Sequence, residues 1–212
     1  MLNLEPSTLI TYFITLVVAI TLHEFAHAKV ADMLGDTTPR QNGRVTLNPL
    51  AHLDPIGSLM MIFAGFGWGR PVPVNPYILG RHSPAALMWV SLAGPATNFM
   101  LAIFAAIPLR MGLASDYSAQ PFLPSSYYFL TGFVFTNLFL ALFNLVPLFP
   151  LDGDKIGDYF FPPFLGRILA TIRPFGPMIL ILLLFVGPNF GFNFISEVVY
   201  PPVASLFYLL VG

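Results

Sequence analysis

The sequence predicts an all-α polytopic membrane protein, with about five to six transmembrane helices, a re-entrant segment and a small β-like element at one face. Three observations lead there. Of 212 residues, 56% are hydrophobic and 9% charged, against about 25% charged in an ordinary globular domain. A water-soluble surface needs more charge than that, whereas lipid accepts an apolar exterior. The apolar residues also gather into stretches near the ~20 residues that cross a bilayer. Between the stretches lie clusters of Gly and Pro, which interrupt helices rather than continue them.

The first stretch runs from Ser7 to Leu34. It has no basic leading region and no small-residue cleavage site, so it is expected to stay as a span rather than leave as a signal peptide. From Gly35 to Ser83 the character changes. Asn42-Gly43 is a turn dipeptide, Arg44-Val45-Thr46-Leu47 alternates as a short strand does, and Pro71, Pro73 and Pro76 suit an extended edge. Between them Ile56–Phe66 is apolar but short and ends in glycines. We read it as a re-entrant or partly inserted helix, with a tilted short span as the alternative. Further apolar segments are Ala85–Leu109, Ser126–Val146, Phe175–Val186 and Phe192–Val211. Gly187-Pro188-Asn189 turns the last two into a helical hairpin. With no repeats and no appended soluble region, residues 1–212 read as one membrane-embedded domain, its core roughly 7–160 and its C-terminal hairpin roughly 175–211.

The net charge of −1 and the absence of a basic run leave no basis for a nucleic-acid partner. There is no cysteine, which removes disulfides, thiolate metal sites and cysteine nucleophiles together. Any metal must rest on carboxylates and four His. If Ile56–Phe66 does not cross, Lys29, Arg40, Arg44, Arg70, Arg81, Lys155, Arg167 and Arg173 share one face and Arg110 alone lies opposite. By the positive-inside rule the crowded face is cytosolic, and the N-terminus lies outside.

His23-Glu24-Phe25-Ala26-His27 forms an H-E-x-x-H motif inside the first span. At about 100° per residue, positions four apart sit roughly 40° apart around a helix, so both imidazoles face one way and can meet one Zn²⁺. Glu24 flanks that face, within reach of a water at the metal rather than of the metal, where it can act as general base. With this many His and Glu, chance gives roughly 0.001 such motifs. The bland alternative is a His pair satisfied within a bundle. It is weakened because ionisable groups inside a span cost about 2.5–3.5 kcal/mol each and usually mark function. A catalytic zinc wants three protein ligands and one open position. His52 and His82 lie in the Gly/Pro-rich stretch. Asp152 is better placed, after a span that Pro147 and Pro150 break, although spacing alone does not choose between Asp152, Asp154 and Asp158.

The early His23–His27 motif and the late Asn144-x-x-Pro147…Leu151-Asp152-Gly153 together resemble the site-2 protease family of intramembrane zinc metallopeptidases. The likeness covers roughly residues 10–160. Arg44 to Pro55 and Gly67 to Pro76 are similar to the small bacterial-type branch without PDZ or CBS domain. The resemblance implies Asp152 as third ligand to one zinc per chain, and Asn144 as a residue that holds the substrate strand. Gly94-Pro95-Ala96-Thr97-Asn98 matches a third family element. Its Gly94 and Asn98 read equally well as a kink with an interhelical hydrogen bond or as contacts to the substrate carbonyl. Leu145 departs from members that carry Pro there. The implied activity is hydrolysis of peptide bonds in the transmembrane segment of another protein. The lipid bilayer and a separate regulator or a second copy are further partners to expect. Two rivals are a metal transporter or channel, which would show more polar groups along a path, and a silent membrane scaffold, which would not need Glu24.

Overall fold

The computed structural model describes residues 5–57, 68–118, 120 and 122–212. Helix α1 (Pro6–Met33) opens on a proline in its first turn, where the missing N–H costs nothing. Its 28 residues extend about 42 Å, more than the ~30 Å of hydrocarbon in a bilayer. Short helices α2 (Thr38–Gln41) and α3 (Pro76–His82) follow, then α4 (Ala86–Arg110) and α5 (Ser126–Asn144). Helix α4 runs unbroken through Pro95 and Pro108. Helix α6 (Gly153–Phe160) is short and amphipathic. From Pro163 the chain stays helical to Phe190, through α7 (Pro163–Ile172), a 3₁₀ turn at Arg173–Phe175, α8 (Gly176–Ile181) and looser π turns. Helix α9 (Tyr200–Val211) completes the order.

Among the described residues, four helices are long and apolar enough to cross a membrane: α1, α4, α5 and the course Pro163–Phe190; Ile195–Val211 is apolar but shorter. The final hairpin therefore begins at Pro163, ahead of the expected Phe175. The 3₁₀ turn at Arg173–Phe175 carries the helix past that point. The expected re-entrant segment Ile56–Phe66 lies almost wholly outside the described residues. No strand forms among the described residues. The expected β-like element comes down to one antiparallel bridge between Leu53 and Gly69, and Arg44–Leu47 bends rather than pairs.

Packing follows membrane-helix rules, in which small residues let backbones approach. Ala19, Ala28, Ala31, Ala102, Ala106 and Ala141 are all buried at helix contacts. One core cluster joins Ala102, Ala106 and Leu109 of α4 to Val134 and Leu138 of α5 and Val203 of α9. A second joins Ala31, Leu79, Ala86 and Val90 where α1, α3 and α4 meet. Helix α4 is thus the central strut, flanked by α1 and α5.

Candidate metal centre

Helices α1 and α4 run antiparallel with one face of each in register. Positions 19, 23 and 27 of α1 meet 98, 94 and 90 of α4, both sets spaced by four and so stacked on one side of a 3.6-residue helix. Each rung is polar or small. Asn98 Nδ2 donates to the Ala19 carbonyl (3.4 Å), His23 Nδ1 donates to Asn98 Oδ1 (2.5 Å), and His27 Nδ1 donates to the Val90 carbonyl (2.6 Å). Gly94 lies between the two imidazoles. A Cβ there would come within 2.6 Å of His23 Nε2 and closer still to His27 Nε2, so only glycine lets α4 pass.

These bonds settle the tautomers. With the proton on Nδ1 of each neutral ring, both Nε2 lone pairs are left free beside Gly94 and next to Asp152. The two Nε2 atoms stand 3.0 Å apart, and Asp152 Oδ2 stands 3.2 Å from one and 3.3 Å from the other. That oxygen is buried and has no hydrogen-bond donor. Three lone-pair donors converging with no proton between them would repel, unless a cation sits among them. Zinc bonds of about 2.0–2.1 Å at tetrahedral angles separate ligand atoms by about 3.3–3.4 Å, close to the edges of this triangle. The donor set therefore fits one Zn²⁺ with a fourth position open. Among the described residues it is the one group of three with this arrangement. His52 and His82 are not in it. His52 is fully buried with Nε2 on the Thr46 carbonyl (2.8 Å), and His82 ends α3 at the surface.

Asp152 reaches the pair from the irregular chain between α5 and α6. Gly153 packs onto the Leu145 and Val146 carbonyls so closely that a side chain would collide. Asp152, with 14% of its side chain exposed, offers the pair a carboxylate oxygen, which binds a metal in its ionised form. Asn144 ends α5 with its amide nitrogen on the Leu140 carbonyl (2.9 Å).

Glu24 stands beside the triangle and accepts a hydrogen bond from the Val72 N–H to Oε2 (3.2 Å). The Trp68–Val74 segment that brings Val72 there is tied down by several hydrogen bonds. Arg44, 5% exposed, donates to the carbonyls of Ala51 (2.7 Å), Arg70 and Pro71 (2.9 Å). The Arg70 N–H meets the His52 carbonyl (2.6 Å), and buried Asp36 accepts from the Asn75 N–H (2.6 Å). Burial lowers the Arg44 pKa, while the charge of Glu24 works the other way. Sequence reasoning also missed Asn137, which accepts from Asn98 Nδ2 (3.0 Å) at zero exposure. An amide within an otherwise apolar span is the signal that could have found it.

No family model and no solved structure matches the chain. It is similar to YwhC of Bacillus subtilis (strain 168), named as a candidate zinc metalloprotease, with 41% identity over 186 residues, 86% of this chain and 84% of that protein. Rip2 of Mycolicibacterium smegmatis, named likewise, is 31% identical over 196 residues, 86% of this chain and 71% of that protein. Rip2 of Mycobacterium tuberculosis (strain H37Rv) is 31% identical over 178 residues, 81% and 65%.

Proposed function

The chain belongs to the site-2 protease family of zinc metalloproteases, and from that premise we propose which residues do its chemistry and on what substrate. It is a multi-pass membrane protein and a zinc metalloendopeptidase; neither transport nor scaffolding finds support among its relatives. We assign His23 Nε2, His27 Nε2 and Asp152 Oδ2 as the ligands, on the strength of their 3.0–3.3 Å triangle. Zinc held there supplies Lewis acidity, acidifying water and polarising a carbonyl.

Glu24 is the general base. It takes the proton from the attacking water as the new C–O bond forms, and returns it to the amide nitrogen as the C–N bond breaks. The Val72 N–H holds one carboxylate oxygen, which orients the other. Asn98 and the Val90 carbonyl hold the imidazoles by their Nδ1–H, a support that typically matters to metal affinity nearly as much as the ligands do. Asn98 has both its side-chain groups engaged by His23, Asn137 and Ala19, which favours this role over contact with a substrate carbonyl. Gly94 gives the imidazoles room. Asn144, by family resemblance, holds the substrate strand.

The substrate is the transmembrane segment of another protein, locally unwound so that a carbonyl is free of its own helix. The centre lies about 26 Å along α1 from its start, so an outside N-terminus puts it nearer the cytosolic face. Elemental analysis of the detergent-purified chain tests the ligand set. One zinc per chain, lost in His23→Ala and in Asp152→Ala, is the expected result, and unchanged metal in either variant removes that residue from the set. Glu24→Gln should keep zinc and lower cleavage of a single-span substrate in proteoliposomes by roughly the 10²–10⁴-fold that a positioned base contributes. An active Glu24→Gln protein sinks the role given to Glu24.

A further inference from the structure

Three carboxylates, Asp152, Asp154 and Asp158, fall in one short run, and each is a chemically adequate metal ligand. What separates them is Arg173. Asp154 and Asp158 are four apart on α6 and therefore share a face, and the helical course beginning at Pro163 brings Arg173 across it. Arg173 Nε donates to Asp154 Oδ2 (2.9 Å) and Oδ1 (3.1 Å), and Nη2 donates to Asp154 Oδ1 (3.0 Å) and to Asp158. Asp154 is 2% exposed, so this fork is its neutralising partner. The planar guanidinium fixes direction as well as charge.

Two anchor points on one face fix the rotation of α6 about its axis. Asp152 precedes the first residue of that helix, so its carboxylate moves when the helix turns. A side-chain tip about 5–6 Å from the axis travels about 2 Å for a turn of about 20°, whereas a working site tolerates about 0.5 Å. The same helical course also braces the loop before Asp152. Gly176 lies so close to the Phe149 carbonyl that a side chain would collide with it.

We propose that Arg173 is a positioning residue for the metal centre: by clamping Asp154 and Asp158 it sets the rotation of α6, delivers Asp152 to His23 and His27, and withholds the other two carboxylates from the cation. The inference rests on Asp152 being the third ligand. Its test uses the full chain in detergent, stripped of metal and titrated with Co²⁺, whose visible bands report ligand number and geometry. Zn²⁺ competition then gives relative affinity. Arg173→Met leaves Asp154 buried and unpaired and is open to misfolding. The paired change Asp154→Leu with Arg173→Met replaces the ion pair by apolar groups, a substitution that is often neutral or stabilising.

Arg173→Met and the paired variant are expected to bind zinc 10–100-fold more weakly, on the order seen when a ligand's support is removed. Their Co²⁺ spectra should move toward that of Asp152→Ala, and Arg173→Lys should restore affinity only in part. A paired variant with wild-type helical content, affinity and Co²⁺ spectrum overturns the proposal, because the clamp would then be structural alone. If Asp152→Ala itself matches the wild type, the ligand assignment fails and carries this inference down with it. The two failures are told apart by that one control.

Discussion

Each imidazole of the proposed ligand pair is held at Nδ1 by a different acceptor, His23 by the Asn98 side chain and His27 by the Val90 backbone. The difference has a local cause. Opposite His27 the helix α4 presents the Val90 carbonyl, whose second lone pair can accept the His27 Nδ1–H, and the lack of a side chain at Gly94 lets α1 come near. Gly94 is the tightest of these positions. Gly94→Ala should add a methyl where both Nε2 atoms already crowd, and overpacking of this kind costs about 1–3 kcal/mol. The expected outcome is zinc lost on the order of tenfold more readily to a chelator, with the helices intact by circular dichroism. Zinc retention equal to wild type would show that α4 can back away. At this scale His23, Glu24 and His27 were legible because the helical period alone brings positions four apart together. Asn98's partner was not, since a bond across 75 residues leaves no local trace.

At the scale of elements, the segment Trp68–Val74 is the least regular piece near the centre and one of the most heavily tethered. Pro71 and Pro73 remove its donors at those positions, so Val72 is left as the one residue between them with an N–H, and that N–H goes to Glu24. Arg44 holds the two carbonyls just before Val72, those of Arg70 and Pro71. Arg44→Met would remove its hydrogen bonds to the carbonyls of half-buried Ala51 and exposed Arg70 and Pro71, at about 0.5–1.5 kcal/mol each, and free the segment from Glu24. We expect zinc content to hold while kcat falls on the order of tenfold, a part of the roughly 10²–10⁴ that a positioned base contributes. An unchanged kcat would mean Glu24 keeps its orientation unaided. Sequence pattern did point to an extended edge at Pro71–Pro76, but its short strand at Arg44–Leu47 is instead a bent connection whose arginine acts by its side chain. Alternation of apolar and polar residues over four positions carries too little information to separate these two cases.

At the scale of the molecule, sidedness is the open expectation that the chain's composition makes easy to test. It has no cysteine, so a single introduced thiol reports its own location. Gln41→Cys, exposed at the end of α2, should label only from the cytosolic side in cells, and Asp116→Cys, exposed between α4 and α5, only from outside. The reverse pattern would invert the topology and put the centre nearer the outer face. Three spans were legible to within a few residues, Ser7–Leu34 against α1, Ala85–Leu109 against α4 and Ser126–Val146 against α5. Long apolar runs bounded by Pro or Gly state their own ends. By itself the sequence determined the membrane-embedded helical class, the placing of His23, Glu24 and His27 together on one helix and a short roster of third-ligand candidates, because each follows from composition or from a period within one helix. Only the tertiary structure decided which carboxylate is free. Asp154 and Asp158 are taken by Arg173, which is 19 and 15 residues away along the chain, and Asp152 is left facing the imidazoles. That outcome depends on how one helix lies across another, a relation set by packing between elements and invisible to any local spacing.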